Sequence, residues 1–244
     1  GGSGEGDFVD WQEGSGFKEY FLDSEGKFLF TADRSHVYVW DTASHACAKM
    51  ITAPWTIERF GEEFLLEWEN CYLLVLQDGL CCYDYGRDAM RWQYSFGQPM
   101  EGIAVSEDKS MAAVVTGQTL YLLSLADGTV LRQSALPITD GMAVKDTSVA
   151  ISPDKNSIAF QQTGQAASHT EDLASNAAVP DAAALSKTIL YNAAKNQYTS
   201  ACSEPVPELP EFTQRSLSFT QDGQLYIIQG SGVNTIYEGQ IAQY

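Results

Sequence analysis

Few side chains in this sequence have chemistry to offer, and their spacing decides most of the reading. Three histidines, His36, His45 and His169, stand far apart, none at i, i+2 or i, i+4 from another or beside a cysteine pair. A zinc centre needs three or four clustered ligands, so no metal site is expected. No nucleophile elbow, Walker loop or dinucleotide-binding glycine pattern occurs, and Gly14-Ser15-Gly16 lacks the strand and helix that would give it meaning. No cofactor and no catalytic residue is expected. Cys81 and Cys82 are adjacent. Neighbours on a strand point to opposite faces, so a disulfide between them would require local distortion, and both are expected to be thiols. Carboxylates are more plentiful. Glu25, Asp108, Asp154 and Asp222 fall in turns, while Glu62, Glu63, Glu67 and Glu69 gather near the expected inner strand of a second repeat. Two carboxyls about 5–10 Å apart in a pocket can hydrolyse a glycosidic bond; a solvated edge is the plainer reading of the cluster.

Over the whole chain, 14 Lys plus Arg against 32 Asp plus Glu leave a net charge of −18 in 244 residues. That deficit excludes a duplex nucleic-acid binder, because affinity for phosphate rests on Lys and Arg. At 44% apolar and 19% charged, the chain can bury a core and is no disordered acidic tail. No apolar run approaches the roughly 18 residues a spanning helix needs, so no membrane span is expected. Gly1-Gly2-Ser3-Gly4 reads as a linker. Five cysteines are too few and too odd in number for a disulfide framework. They point to a reducing, cytoplasmic compartment unless the chain is a piece of an extracytoplasmic protein.

A repeat organises the rest. A short apolar stretch, Ser or Thr, an acidic residue, then Gly or Lys, precedes an alternating apolar run at Ser24-Glu25-Gly26-Lys27, Ser106-Glu107-Asp108-Lys109, Ser152-Pro153-Asp154-Lys155 and Thr220-Gln221-Asp222-Gly223. Each is a hairpin signal, since these turn residues tolerate the backbone angles of a tight reversal. From Ser24 to Ser106 the spacing is 82 residues, two units of 41, and the hidden unit is read as Phe64–Trp68, Tyr72–Leu76 and Leu80–Tyr85. Two further strands follow each hairpin, as in His36–Asp41 then Cys47–Ile51, and Thr119–Leu125 then Val130–Arg132. Four strands per unit of about 40 residues, with no helical period between them, describe a propeller blade.

At Val37-Tyr38-Val39-Trp40-Asp41 the chain resembles the terminal signature of a WD repeat, and Ser152-Pro153-Asp154-Lys155 resembles the turn of WD and related bacterial propellers. Cys82-Tyr83-Asp84-Tyr85 through Met90-Arg91-Trp92 looks like a quinoprotein-type repeat. The resemblance covers about residues 17–244 and reaches a superfamily only. It departs from strict WD repeats in lacking the Gly-His dipeptide. It implies an all-β propeller of about five four-stranded antiparallel blades. Residues 1–16 form a linker and N-terminal segment, with Asp7-Phe8-Val9-Asp10-Trp11 expected to close the last blade as its outer strand. Residues 17–244 form the propeller, interrupted by an Ala/Ser-rich irregular insertion at 163–187 inside the fourth blade. The chain is thus expected to be a non-catalytic interaction or scaffolding module for a protein partner with a basic surface. Trp11, Trp55, His169, Glu171 and Asp172 are its candidate contact residues. A glycan-acting propeller hydrolase and the extracytoplasmic sensing domain of a membrane protein are the alternatives.

Overall fold

The computed structural model describes residues 19–137, 141–166, 184–200, 206–207, 215–229 and 235–239. Among them every regular element is a strand, apart from short 3₁₀ turns at Glu62–Phe64 and Trp68–Asn70. Two compact units divide the chain, Gly1–Gln98 and Pro99–Tyr244.

In the first unit, β1 (Phe21–Leu22), β2 (Phe28–Ala32), β3 (His36–Asp41) and β4 (Ala46–Thr52) form one antiparallel sheet in sequence order. A second sheet follows, of β5 (Ile57–Arg59), β6 (Cys71–Leu76), β7 (Gly79–Asp84) and β8 (Ala89–Ser95). The second unit begins with the sheet of β9 (Gly102–Val105), β10 (Met111–Thr116), β11 (Thr119–Ser124) and β12 (Val130–Ala135). Next come β13 (Met142–Ile151), β14 (Ser157–Ala166), β15 (Ala184–Asn192) and β16 (Gln197–Ser200), with β17 (Val206–Pro207) paired to β15. The last sheet holds β18 (Arg215–Phe219), β19 (Leu225–Gln229) and β20 (Thr235–Gly239). Successive meandering antiparallel sheets with almost no helix are the blades of a propeller, as expected from the repeat. The expected closing strand at 7–11 lies outside the described residues.

Burial explains the sequence patterns. The middle strands β6, β7 and β10 are covered on both faces and read as unbroken apolar runs, whereas the outer strands β4, β8 and β12 are largely exposed. Phe21, Phe30, Phe60 and Tyr72 stack in the first unit, with ring centroids 5.0 Å apart for Phe21–Phe30 and 5.1 Å for Phe21–Phe60. In the second unit, Met111, Val115, Leu120 and Leu122 pack against Ile158, Phe160, Ile189 and Tyr191 of the next sheet. Ala159 and Leu190, on that sheet's opposite face, meet Leu225.

The turns carry the repeat in atomic detail. Asp23, Ser106, Ser152 and Thr220 occupy one position: the backbone N–H of each donates to the first residue of the following strand or its neighbour. Their side-chain oxygens accept amides returning from that strand, 3.0 Å from Phe28 N to Asp23, 3.0 Å from Met111 N to Ser106 and 2.9 Å from Ser157 N to Ser152. Three residues on, Gly26, Lys109, Lys155 and Gly223 all take the left-handed conformation, with φ between 59° and 83°. In the first blade the acceptor is therefore Asp23, one residue before the expected Ser24, because a carboxylate satisfies the same amides as a hydroxyl. A second repeat closes the third strands: four residues after Asp41, Asp84, Ser124 and Asn192, the left-handed position falls on His45, Asp88, Gly128 and Asn196. Trp40 Nε1 donates to Thr31 Oγ1 at 2.9 Å, tying the WD-like strand to its neighbour.

These turns predict an acid sensitivity. Burial would raise the Asp108 carboxyl, but the Lys155 ammonium with the Ser110 and Ser106 hydroxyls holds it well below the usual carboxylate range. Ser152 does the same for Asp154, and Thr220 for Asp222. A depressed folded pKa means that the stabilisation is complete above the unfolded value of about 3.9 and is lost as pH falls through the folded one. The urea midpoint is expected to drop steadily below about pH 4. Asp108→Asn should start from a lower midpoint at neutral pH and decline less steeply on acidification; a parallel decline would refute the assignment.

One expectation is corrected. Inside the second sheet, the inner strand is Ile57–Arg59, paired through Ile57↔Leu76, whereas Phe64 ends one 3₁₀ turn, Trp68 opens another, and Leu65 between them bridges Tyr72 of β6. Phe64, Leu65 and Leu66 are buried there, so an apolar run resembled a strand without being one. Most of the expected insertion at 163–187 lies outside the described residues; at its ends Thr163 to Gln165 pair with Ser186 to Ala184.

Candidate functional site

The second sheet breaks the repeat where the other turns obey it. Between β5 and β6 the chain bulges through Gly61–Asn70 instead of reversing in five residues, and Glu67, Glu69 and Asn70 adopt φ of 57°, 57° and 56°. Non-glycine residues held left-handed cost about 1–2 kcal/mol each, and such strain concentrates at functional sites. Part of the bulge is anchored. Ser24 N donates to Glu67 Oε1 at 2.6 Å, and Arg91 bridges Glu69 while its Nη1 lies 3.7 Å from Cys71 Sγ. Arg91 also lies 5.9 Å from the Trp68 ring centroid.

The remainder of the bulge walls a cavity of about 420 Å³ lined by Glu19, Tyr20, Phe21, Gly61, Glu62 and Glu63. Its other side is the segment entering β1, so the cavity lies where the first strands of the two sheets meet. Three carboxylates and two aromatic rings supply the lining, and Tyr20 is 71% exposed. Behind it, Tyr72 is fully buried. Its hydroxyl is enclosed beside the Gly61 amide and the Glu63 carboxylate, with no well-formed hydrogen bond to either. Burial, reinforced by the Glu63 charge, pushes this phenol far up, so it stays protonated. An enclosed hydroxyl without a partner costs about 1–3 kcal/mol. Tyr72→Phe is therefore expected to leave stability unchanged or raise it by up to about 1 kcal/mol; a loss above that value in urea unfolding would show that the hydroxyl is bonded.

The four-glutamate cluster thus divides into Glu67 and Glu69, held by Ser24 and Arg91, and Glu62 and Glu63, which face the cavity. Trp55 is half-buried between β4 and β5, its ring close to where a Gly79 Cβ would stand and its indole N–H enclosed without an acceptor. Trp11, His169, Glu171 and Asp172 lie outside the described residues. His36 opens β3 with Nδ1 3.2 Å from Asp33 Oδ1, and His45 sits in the turn after it. Cys47, Cys71, Cys81 and Cys82 are free thiols. Cys81 pairs with Leu74 and Cys82 with Leu73, and burial pushes the Cys81 thiol up to about 12. Among the described residues no three His, Cys, Asp or Glu side chains group to hold a metal, and no helix is long and apolar enough to cross a membrane.

No protein-family profile and no curated protein matches the chain. Its fold is that of solved propellers. Hydrazine synthase of Kuenenia stuttgartiensis is similar over 90% of this chain and 59% of its own, at 13% identity and TM-score 0.55. KlHsv2 with loop 6CD replaced by a Gly-Ser linker is similar over 87% and 61%, at 11% identity and TM-score 0.57. The WD40 domain of Toxoplasma gondii coronin is similar over 87% and 55%, at 10% identity and TM-score 0.55. This chain spans about six tenths of the length of the chains it matches. At such identities the likeness concerns the fold alone, a β-propeller.

Proposed function

We propose that this chain is a protein-interaction module whose blades present a preformed acidic surface to a partner with a basic one. The observation that carries this reading is the carboxylate-lined cavity at the one described inner-strand connection that departs from the repeat, in a chain of net charge −18. Rigid sheets spare the ordering cost of binding, and the charge speeds encounter with a cationic partner at low salt. WD40-like relatives in fold give the reading its class, and fold alone leaves the partner to be found.

Cross-linking of the whole chain in cell extract, followed by reconstitution with each purified candidate, tests it. A defined basic partner should bind in a saturable manner and weaken as salt rises. Absence of binding by every purified candidate would overturn the reading. Turnover of an oligosaccharide panel that disappears in Glu63→Gln would replace it with the hydrolase alternative.

A further inference from the structure

We propose that Cys71 and Cys82 form a peroxide-sensitive dithiol, in which Cys71 reacts first and Cys82 closes a disulfide across β6 and β7. This goes beyond the interaction reading and does not depend on it. The register brings the pair together: Cys71 stands opposite Asp84 and Cys82 opposite Leu73, so the two cysteines are diagonal neighbours on one face of the sheet. Diagonal neighbours begin about 7–8 Å apart, at the outer limit for a disulfide. The side chains close that gap, because the Cys82 thiol donates a hydrogen bond to the Cys71 sulfur. Cys81, adjacent to Cys82 in the chain, takes the opposite face with Leu74 and has no part in the pair.

The same positions in the first and third sheets hold Phe28 with Val39 and Met111 with Leu122, ordinary apolar pairs. A core role accounts for the burial of Cys71 and Cys82 but not for the cation beside them. Between β7 and β8 the register shifts after Cys82, which leaves Arg91 as the extra residue of a β-bulge. Its Nη1 lies 3.7 Å from Cys71 Sγ, whereas the matching bulges carry Ala48 in the first sheet and Leu131 in the third. A guanidinium against the sulfur favours the thiolate, the nucleophilic form. The hydrogen bond from Cys82 holds the Cys71 thiol below its ordinary range in spite of burial, and the same bond together with burial pushes the Cys82 thiol up. The pair is thus split into a nucleophile and a resolving thiol. While protonated, Cys71 donates to the Glu69 carbonyl at 3.6 Å. The Arg91 side chain, 28% exposed, is the layer between the sulfur and solvent that a molecule as small as hydrogen peroxide has to pass.

In the first step the Cys71 thiolate attacks one oxygen of hydrogen peroxide. An S–O bond forms, the O–O bond breaks, and the departing hydroxide takes up the proton released by the thiol and leaves as water. Cys82 then attacks the sulfur of the sulfenic acid, forming the S–S bond and breaking the S–O bond, and its proton leaves with the hydroxyl as a second water. Two thiols lose two electrons, and one peroxide is reduced to two waters.

The test uses the whole chain carrying Cys47→Ser and Cys202→Ser, which leaves Cys71, Cys81 and Cys82. It is treated with hydrogen peroxide in the folded state, then unfolded in urea and alkylated with iodoacetamide. Before alkylation the intact mass should fall by about 2 Da, the two hydrogens of a disulfide. Cys81 alone should then be alkylated, and dithiothreitol should restore the other two thiols. Cys81→Ala should form the bridge as before. Cys82→Ala should abolish it and leave Cys71 as a sulfenic acid that dimedone traps, and Cys71→Ala should abolish both the bridge and the adduct. Cys82→Val, which places the residue found at this position in the first sheet, repeats the Cys82 test without opening a void. Circular dichroism reports whether each variant is folded. A bridge that survives Cys82→Ala or is lost in Cys81→Ala would overturn the inference. So would a dimedone adduct absent from Cys71 in both Cys82 variants, or thiols left fully alkylatable at a peroxide dose that oxidises the exposed Cys47 of the unsubstituted chain.

Discussion

Phe30→Ala is expected to cost about 3–5 kcal/mol of stability, the range for deleting a buried phenyl ring. Phe30 is wholly inaccessible and lies in the middle of β2, paired with Phe21 on one side and Val39 on the other. Its ring stacks on Phe21 at 8°, meets Tyr72 with centroids 6.1 Å apart, and takes Tyr85 edge-on at 5.6 Å. Removing it leaves three rings facing a void that the stiff sheets on either side cannot collapse to fill. Because Phe21 lines the cavity, the loss should also reach the site. For a chain of this size the thermal midpoint should fall by about 6–20 °C. Chemical unfolding followed by tryptophan fluorescence measures the change; a loss below about 1 kcal/mol would show that the aromatic stack is not a core.

The second large effect is expected at Gly164 in β14. A Cβ built there would stand 1.9 Å from the Ala143 carbonyl oxygen and 2.7 Å from its carbon. Both are backbone atoms of the paired strand, so no rotamer change relieves the clash. The opposing strand already shifts register between Val144 and Asp146, which lets the two backbones approach closely. Gly164→Ala should cost about 3 kcal/mol, at the upper end of ordinary overpacking. The ribbon should part from this point outward. Hydrogen exchange reads this directly: amides of Met142, Ala143 and Leu185 should lose protection while those of Val149 and Ile189, beyond the bulge, keep theirs. Unchanged protection at Ala143 would contradict the close approach.

The fold was largely legible because the turns are chemically determined. An oxygen-bearing side chain followed three residues later by glycine or a left-handed lysine has few other uses, and it recurs at Asp23, Ser106, Ser152 and Thr220. The one-residue offset at Ser24 arose where Asp and Ser stand side by side and either can accept the amides. β5 escaped notice because Ile57–Arg59 is short and only Ile57 is buried. Phe64–Leu66, by contrast, imitates a strand by being apolar. The cavity was half legible. Glu62 and Glu63 belonged to the acidic cluster near an inner strand, but Glu19, Tyr20 and Phe21 come to it from the preceding sheet, and no local pattern announces a neighbour so distant in the chain. Trp55 is one of the expected contact residues; its half-buried ring and enclosed indole N–H follow from tertiary packing beside Gly79 that composition does not encode.

Lys155 shows how one position is asked to do two things. Its backbone takes the left-handed turn at φ 60°, where glycine would be at ease, while its ammonium reaches the turn of the previous sheet, 2.7 Å from Asp108 and 2.9 Å from Ser110. Gly26 and Gly223 relax the same corner and have no side chain with which to reach anything. A blade can have an unstrained corner or a strap to its neighbour at that site, and no single residue supplies both. Any attempt to rigidify this propeller by placing glycine in every left-handed corner would therefore loosen the seam between its third and fourth sheets.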